Sequence, residues 1–492
     1  MTFAVIIFGA SGDLAKRKTI PALYSLYIHG EKYKAPRFRV VGYARTELTG
    51  EEIKLKSLPF LKKIHGASEE SIEGFFQNFT YISGQYDTEE GYLKLQENTR
   101  GEDLIYYLAL PPFQFITVSR FIKKVIYNKQ VINRLVVEKP FGRDTSSAKE
   151  LSDSLSSLFE QNELYLIDHY LGKEMVKNLM ILRFSNLFFQ ALWNRQYVDS
   201  VQIVFKESLG VEGRGGYFDE FGIIRDVMQN HMLQLLSIVA MERPASLDSE
   251  DIRNEKVKVL KCITPLKYSE GNVIIGQYTS GNGHLGYCEE ETVPKESFTP
   301  TFAMAVCYIK NERWDGVPFI LKCGKGLSDS KSEVRIQFKP IPGGLYHHAS
   351  QSDSSGRDLP RNELVIRVQP NESIYLKLLT KKPGLAMEPL LSDLDLTYRQ
   401  RFEDFIIPDA YESILLDLLR GDRQNFVRID ELEAAWKIVS PLLGEIESVP
   451  PKTYPFGSRG PTEADELLKR VGYHYHLDSF HTYKYSWPKT AL

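Results

Sequence analysis

The chain has 492 residues, 42% of them hydrophobic and 25% charged, which is an ordinary globular composition and is long enough for two or more hydrophobic cores. Its 61 basic and 64 acidic residues give a net charge of −3, which excludes a global electrostatic attraction to nucleic acid or membranes. The apolar run over residues 2–8 is too short for a transmembrane helix and follows no basic region, so it predicts a first strand.

The first predicted strand, over residues 3–8, ends in a glycine-containing turn over residues 9–16 (GASGDLAK). A buried strand that breaks on glycines into the start of a helix lets backbone N–H groups approach a pyrophosphate. The spacing is not the full G-x-G-x-x-G, so a plain tight turn is the alternative. Pro21 predicts a break after a short helix, followed by a second helix that stops at Gly30.

An arginine follows the second predicted strand, which covers residues 39–43. Where an NAD-binding fold would carry an acidic residue for the ribose 2′-OH, this chain has Arg45, which favours the 2′-phosphate of NADP. A solvated loop arginine is the alternative. Strands and helices then alternate, which predicts a parallel sheet with helices on both faces. Further strands are predicted at 105–110, 134–139 and 164–167, with helices at 114–128 and 146–160.

The pattern changes after residue 200, where a succession of strands predicts a large, mainly antiparallel sheet with helices on one face. The predicted fold is an α/β Rossmann-like dinucleotide-binding domain over residues 1–167 and a larger α+β domain with the antiparallel sheet over residues 168–492. Residues 350–360 are the most loop-like, and the tail from about residue 450 is expected to wrap over the sheet with few regular elements. The strands are predicted at 201–205, 272–278, 301–309, 318–323, 334–338, 364–368 and 373–379, and the helices at 175–195 and 223–241.

Cysteine usage indicates the redox compartment. Cys262, Cys288, Cys307 and Cys323 all fall in strand-like contexts without paired metal-ligand spacing. We therefore expect a reduced, cytoplasmic protein with no metal site.

Residues 166–174 (LIDHYLGKE) place acidic, basic and cationic side chains where an apolar strand gives way to a helix. Ligand crevices in open α/β sheets lie outside the carboxyl ends of the strands, so Asp168, His169 and Lys173 are candidate site residues. His169 and Lys173 are four apart and share a face if the helix starts early. Since two neighbouring cations are unfavourable without an anion between them, the pair favours a phosphorylated ligand. A capped helix whose His and Lys face water is the alternative.

Five motifs together resemble the glucose-6-phosphate dehydrogenase family over essentially the whole chain. The most specific is IDHYLGKE over residues 167–174, and the tail motifs resemble the eukaryotic branch. The resemblance implies oxidation of D-glucose 6-phosphate to 6-phospho-D-glucono-1,5-lactone with reduction of NADP, the first step of the oxidative pentose phosphate pathway. The other motifs are GASGDLA at 9–15, EKPFG at 138–142, RGGYFDEFGIIRDVMQNH at 214–231 and GSRGPTEADEL at 457–467.

The resemblance makes His231 the general base that removes the proton from the anomeric hydroxyl, and Asp168 the carboxylate that orients His231 and stabilises its cationic form. Without the resemblance, a helix histidine satisfied by a neighbour is the alternative. The implied substrate contacts are a phosphate clamp of His169, Tyr170 and Lys173, then Lys139 between sugar and nicotinamide, the carboxylates Glu207 and Asp226, and Lys325 and Gln369 on the second sheet.

Two details of the substrate region stand out. Asp226 and His231 are five residues apart, roughly 140° around an α-helix, so we expect Asp226 in or just before the first turn, after a glycine-rich loop over residues 213–222. Ser330 stands where the family commonly has arginine. The loss of this arginine guanidinium should weaken anion or sugar contacts unless Lys331 or Lys325 compensates.

For the coenzyme, the resemblance implies NADP at the catalytic site and, as in the eukaryotic branch, a second, structural NADP between the sheet and the tail. A set of solvated charges on a sheet face is the alternative for the second site, and Tyr485 stands where the family tends to have tryptophan. The implied catalytic contacts are Gly9, Ser11, Gly12, Asp13, Leu14, Arg45, Tyr107 and Lys139. The implied structural contacts are Lys322, Lys331, Arg335, Arg367, Tyr375, Lys377, Asp395, Thr397, Arg459 and Tyr475.

Two other hypotheses remain open. One is a related sugar dehydrogenase that also pairs a dinucleotide domain with an open sheet. The other is a catalytically silent NADPH-binding regulator, which would be expected to have lost His231 or Asp168, and both are present. The resemblance further implies a homodimer or homotetramer formed through the large sheet, with glucose 6-phosphate as the small-molecule partner.

Overall fold

In the computed structural model, which describes residues 2–342 and 359–474, the first part of the chain forms a six-stranded parallel sheet. The strands are β1 Phe3–Phe8, β2 Phe38–Ala44, β3 Phe79–Ser83, β4 Asp103–Leu108, β5 Asn133–Glu138 and β6 Leu164–Ile167. Their order, β3-β2-β1-β4-β5-β6, places a switch point between β1 and β4, where a crevice opens at the carboxyl ends. The predicted parallel sheet is confirmed, although the half-buried edge strand β3 was not predicted.

Helices cover both faces of this sheet, so β1, β4 and β5 are buried along their whole length. The break predicted at Pro21 is wrong. A π-helical turn over Ala15–Thr19 runs directly into α1, where Pro21 occupies the first turn and its missing N–H is tolerated. The helix continues past Gly30 to Lys34, a left-handed cap. The helices are α1 Ile20–Tyr33, α2 Gly50–Leu61, α3 Glu69–Gln77, α4 Glu89–Asn98, α5 Phe115–Phe121 and α6 Thr145–Leu158.

The second part of the chain contains a nine-stranded sheet, which confirms the predicted antiparallel layer. The strands are β7 Val198–Lys206, β8 Val273–Thr279, β9 Phe302–Tyr308, β10 Pro318–Gly324, β11 Lys331–Phe338, β12 Glu363–Gln369, β13 Ser373–Lys381, β14 Pro389–Thr397 and β15 Lys452–Pro455. Their order is β14-β13-β12-β11-β7-β10-β9-β8-β15. Only two of the eight pairings, β7 with β10 and β8 with β15, are parallel.

One face of the large sheet is apolar and the other is polar. Val201, Ile203 and Phe205 of β7 share a hydrophobic core with the helical residues Met228 and Leu235. Because side chains alternate along a strand, the residues between them face the opposite, polar side. The helices after β6 are α7 Glu174–Phe184, α8 Leu187–Leu192, α9 Gly215–Ile223, α10 Leu233–Ala240, α11 Ser249–Lys261, α12 Tyr398–Arg401, α13 Ala410–Arg420, α14 Ile429–Ile446 and α15 Thr462–Arg470.

Helix α13 joins the two parts of the molecule. Its residues Tyr411, Ile414 and Leu418 lie in the same buried cluster as Leu23 of α1 and Tyr107 of β4. The start of α13 therefore reaches the carboxyl edge of the first sheet from the far end of the chain.

Two expectations need correction. The tail is more regular than expected, because residues 452–455 pair in parallel with β8 and residues 462–470 are helical. Cys262 caps the end of α11 and Cys288 lies in a 3₁₀ turn, so only Cys307 and Cys323 are in strands; all four thiols are free. Most of the loop-like stretch, residues 350–358, lies outside the described residues. Within 2–342 and 359–474, the helices are too short or too polar to span a membrane.

Candidate active site

An Asp–His pair lies at the carboxyl edge of the first sheet. Asp168 follows β6 and caps a 3₁₀ turn over His169–Gly172, with its Oδ1 accepting the N–H of Tyr170 at 3.0 Å. The same oxygen lies 2.5 Å from Nδ1 of His231, and both side chains are only 2% exposed. The predicted pairing of Asp168 with His231 is thus present, and it leaves Nε2 as the ring nitrogen free to meet a substrate.

His231 lies on a π-helix over Ile224–Met232, which begins directly after a kink at Gly222 (φ 67°). A π-helix joins residues five apart, so Asp226 and His231 stack one turn apart on the same face. The expectation that Asp226 lies in the first turn is confirmed, but the separation of roughly 140° was wrong because it assumed an α-helix. The predicted loop over residues 213–222 is also wrong, since most of it forms α9.

Burial sets the charges of the pair. Burial lowers the pKa of His231 below its usual 6.5 more than the neighbouring Asp168 raises it. Burial works in the opposite sense on Asp168, but the attraction of His231 and nearby cations holds the pKa of that carboxyl at about 2. At neutral pH the pair is therefore a carboxylate beside a neutral imidazole, the state in which a histidine can accept a proton.

Two further rings fix His231. Tyr170 stacks on it with ring centroids 4.4 Å apart, and His169 meets it edge-on at 4.7 Å. Burial, and then the nearby His231, lower the pKa of His169 well below its usual value. One donor atom each of Asp168, His169 and His231 lies within 4.8 Å of the others, so the absence of a metal site stays a prediction.

The helical relationship predicted for His169 and Lys173 is wrong. His169 lies in the 3₁₀ turn, Lys173 is extended, and the α-helix begins only at Glu174, so the two side chains do not share a helical face. Because His169 is neutral, the repulsion of two cations no longer argues for an anion here. Lys173 instead places its Nζ 5.0 Å from the centre of the Tyr170 ring.

Lys139 links the dyad to a cavity. It follows β5, and its Nζ donates to the backbone oxygen of Asp226 at 2.8 Å and lies 3.3 Å from the Asp226 carboxylate. Lys325 lies 4.0 Å from the other carboxylate oxygen of Asp226 and forms an ion pair with Glu207. Burial opposes ionisation of Asp226, yet Lys139 and Lys325 lower its pKa. Glu207, Asp226, Lys325 and Gln369 all line a cavity of about 630 Å³.

A β-bulge directs Gln369 toward this cavity. The pairing of β11 with β12 shifts between Ser332 and Glu333, so that one extra residue of β12 lies between Arg367 and Gln369. Gln369 therefore turns to the side of the dyad, where its Nε2 donates to the hydroxyl of Tyr170 at 2.8 Å. Arg367 stays on the polar face of the sheet.

Ser330, the predicted departure, lines the same cavity and hydrogen bonds to Ser208 at 2.8 Å. Lys331, which the sequence offered as a substitute cation, lines the same cavity and lies 3.2 Å from the Glu333 carboxylate. Lys325 is the cation that contacts both Asp226 and Glu207.

The predicted coenzyme residues mark the crevice beyond β1 and β2. Gly9 has φ 89°, and a Cβ there would clash with the carbonyl of Ala109. Gly12 donates to the Gly9 oxygen at 2.9 Å, after which Asp13 and Leu14 begin the helix and Ser11 completes the turn. Arg45 is exposed beyond β2, with its guanidinium carbon 5.6 Å from the Tyr86 ring.

Tyr107 does not reach this crevice. Its side chain is fully buried, and its hydroxyl donates to the carboxylate of Glu138. Sequence patterns missed two residues of this interior region, Glu138 and Tyr411. Glu138 lies within the EKPFG motif, which was a usable signal, whereas Tyr411 carries no local signal.

Most predicted contacts of the second coenzyme site share the polar sheet face. Glu333, 1% exposed, lies among them, with its carboxylate 2.9 Å from Arg335 and 3.4 Å from Arg367. Burial, and then Lys206, lower the pKa of Lys322 to about 8. Arg459 lies 3.5 Å from Asp465, and both are close enough to Lys322 to affect its pKa; Tyr475 is outside the described residues. The pairing register places on this face Lys322, Lys331, Arg335, Arg367, Tyr375, Lys377, Asp395 and Thr397.

The parallel sheet with its glycine turn and the buried Asp–His pair beside a polar cavity define the class, a dinucleotide-dependent oxidoreductase. Residues 6–178 match the model "Glucose-6-phosphate dehydrogenase, NAD binding domain", and residues 180–476 match "Glucose-6-phosphate dehydrogenase, C-terminal domain". The chain belongs to the glucose-6-phosphate dehydrogenase family, and its activity is that of a glucose-6-phosphate 1-dehydrogenase.

Relatives cover almost the full chain. Glucose-6-phosphate 1-dehydrogenase of Aspergillus niger is 49% identical over 99% of this chain and 94% of that protein. The Saccharomyces cerevisiae protein is 48% identical over 99% and 96%. A solved glucose-6-phosphate dehydrogenase in complex with its substrate glucose-6-phosphate is 47% identical, with a TM-score of 0.89 over 96% of this chain and 98% of that one. Family membership favours the enzyme over the related sugar dehydrogenase and the silent regulator.

Proposed function

We propose that this chain uses NADP to oxidise glucose 6-phosphate at its anomeric carbon, with His231 as general base and Asp168 as its orienting partner. The observation that carries the proposal is the buried contact between His231 Nδ1 and Asp168 Oδ1. It holds Nε2 available for the C1 hydroxyl proton. A bound nicotinamide would supply the acceptor for the C1 hydride. Loss of that hydride and of the hydroxyl proton together converts the sugar to the 1,5-lactone.

The cavity supplies the sugar contacts in this proposal. Glu207 and Asp226 would accept hydrogen bonds from sugar hydroxyls, and Lys325 contacts both carboxylates. Lys139, between Asp226 and the coenzyme crevice, would contact both the sugar and the nicotinamide end of the coenzyme. Tyr170 and Gln369 are already joined at the edge of the site. With His169 and Lys173, Tyr170 would hold the phosphate.

Arg45 supports NADP over NAD in the proposal, because it is an exposed guanidinium at the end of β2, where a ribose 2′-phosphate would need one. The polar sheet face supports a second, structural NADP near Lys331 and Arg367. Glu333 partly neutralises these cations, so an incoming phosphate would compete with it for them. We also propose cytoplasmic location and the division into domains at residue 167.

A homodimer or homotetramer through the large sheet is part of the proposal. Strand β14 lies at one end of the sheet order and has an unpaired edge among the described residues. Leu394 on this strand is 62% exposed. Phe405, just beyond α12, is 70% exposed. An edge strand with exposed apolar side chains is a surface that a second copy can cover.

The proposal is tested with purified protein, by following NADPH absorbance after addition of NADP and glucose 6-phosphate. Glucose replaces the sugar phosphate in one control, and NAD replaces NADP in another. Rapid reduction with NADP and glucose 6-phosphate alone is expected. Equal rates with glucose would contradict the phosphate clamp. A Lys173→Ala variant should weaken use of glucose 6-phosphate and leave the slow oxidation of glucose nearly unchanged.

A further inference from the structure

A buried carboxylate outside the dyad lies at the centre of an aromatic cluster. Glu138 ends β5 and is 5% exposed; its neighbour Lys139 points the other way, toward Asp226. Its carboxylate accepts a hydrogen bond from the hydroxyl of Tyr107, and Tyr411 lies close enough for its hydroxyl and the Glu138 carboxylate to affect each other's pKa. Burial raises the pKa of Glu138 to about 7, and the hydrogen bond from Tyr107 opposes that shift.

Tyr411 connects this carboxylate to the dyad. It lies in the first turn of α13, where its N–H donates to the capping Asp409 at 2.9 Å. Its ring is nearly parallel to that of His169, at 12° with centroids 5.8 Å apart. His169 in turn packs edge-on against His231 at 4.7 Å. The contacts form an unbroken chain from the end of β5 to the general base.

Backbone packing limits how far this chain of contacts can move. The 3₁₀ turn that carries His169 approaches the first turn of α13 so closely that a Cβ at Gly172 would clash with the carbonyl of Ala410. Lys18 lies 5.9 Å from the centre of the Tyr411 ring, on the side of α1. Tyr411 is therefore enclosed by both parts of the molecule, with Glu138 near its hydroxyl and the His169 ring stacked on its own.

We infer that Tyr411 is a positioning residue that holds the His169 ring in place by stacking, and that Glu138 keeps Tyr411 in position through its hydroxyl. The inference rests on the proposed function, in which His169 contacts the substrate phosphate. Without this stacking partner, the His169 ring could rotate away from the orientation in which it contacts the phosphate and packs on His231. The consequence should appear in substrate binding, with coenzyme binding unaffected.

The first test compares Tyr411→Leu, which removes the ring, with Tyr411→Phe, which keeps the ring and removes the hydroxyl. Tyr411→Leu should raise the KM for glucose 6-phosphate roughly tenfold, as expected for one misplaced hydrogen bond to a charged group, with the KM for NADP unchanged. Tyr411→Phe should restore most of the loss. Tyr127→Leu is the matched control, because it removes a tyrosine–glutamate bond (2.8 Å to Glu163) at the opposite edge of the sheet. It should change neither KM.

An unchanged KM for glucose 6-phosphate in Tyr411→Leu would overturn the inference, as would a Phe variant no better than the Leu variant. His169→Ala separates this failure from that of the proposed function. If His169→Ala raises the KM and Tyr411→Leu does not, only the inference fails; if His169→Ala leaves the KM unchanged, the phosphate role of His169 fails.

A double-mutant cycle keeps the test decisive if Tyr411→Leu does not fold. Tyr411→Phe and Glu138→Leu should each raise the KM for glucose 6-phosphate about threefold, and together no more than about threefold, because each removes one partner of the same link. A double variant in which the two effects multiply would show that Glu138 and Tyr411 act independently, and would overturn the link between them.

Discussion

The Nδ1 atom of His231 and the Oδ1 atom of Asp168 lie 2.5 Å apart, and each side chain is 2% exposed. The contact spans the end of a parallel strand and a π-helix of the other part of the chain. It occupies Nδ1, so Nε2 is the ring nitrogen that can meet a substrate. Replacing His231 should therefore affect the chemical step more than it affects folding.

His231→Asn is expected to lower turnover by roughly two to four orders of magnitude, the range for loss of a general base, while coenzyme binding is retained. Stopped-flow kinetics measure the loss of turnover, and a fluorescence titration with NADPH measures the retained coenzyme binding. Activity within a few-fold of the parent enzyme would remove His231 from the chemistry.

In a plot of kcat/KM against pH, the midpoint of the acid limb should lie below pH 6.5. His231 acts as a base only when neutral, and burial lowers its pKa below 6.5, so activity persists as the pH falls until His231 takes up a proton. Asp168 raises that pKa, so Asp168→Asn should move the limb to still lower pH, with a lower plateau. A limb that moves to higher pH in Asp168→Asn would contradict the assignment.

Arg45→Ala should raise the KM for NADP far more than that for NAD, because only NADP carries the 2′-phosphate. Steady-state kinetics with both coenzymes at saturating glucose 6-phosphate give the comparison. Arg37→Ala, an exposed arginine at the opposite end of the same strand, is the matched control and should leave both constants alone. Equal effects of Arg45→Ala on both coenzymes would be inconsistent with a 2′-phosphate contact.

The second coenzyme site predicts a thermal effect separate from catalysis. In an Arg45→Ala background, excess NADP should still raise Tm, with about 2.7 kcal/mol of stabilisation at a hundredfold excess over Kd. Adding Lys331→Ala and Arg367→Ala should abolish most of that rise, and Arg335 still holds Glu333 in such a variant. Differential scanning calorimetry with and without NADP measures it. A rise that survives these substitutions would place the second ligand elsewhere.

Patterns of apolar residues predicted the two sheets because a fully buried strand has to be apolar along its length, as β1 and β4 are. The strands that were missed, β3, β14 and β15, are edge strands whose side chains are largely exposed or half-buried. Exposed positions of an edge strand can be polar or apolar, so the order of polar and apolar residues there indicates a strand only weakly.

The dyad itself was predicted from motifs, but the geometry that assembles it was not. An α-helix and a π-helix have similar sequences, so the shared face of Asp226 and His231 needed the structure. Likewise, nothing near Tyr411 in the sequence indicates that it stacks on His169, because that contact depends on how α13 returns to the first sheet.

The extra residue in β12 has a consequence for how this enzyme can change. In a regular strand, Arg367 and Gln369 would point to the same side, and the bulge alone turns one to Glu333 and the other to Tyr170. A substitution at either position alters one ligand site. Because the partners of these two residues, Glu333 and Ser332, are consecutive in β11, deleting Val368 would give a regular strand that keeps Arg367 and Gln369 on their present faces and removes only the buried Val368 side chain. A deletion at this point should therefore cost core stability, while both ligand sites keep their side chains.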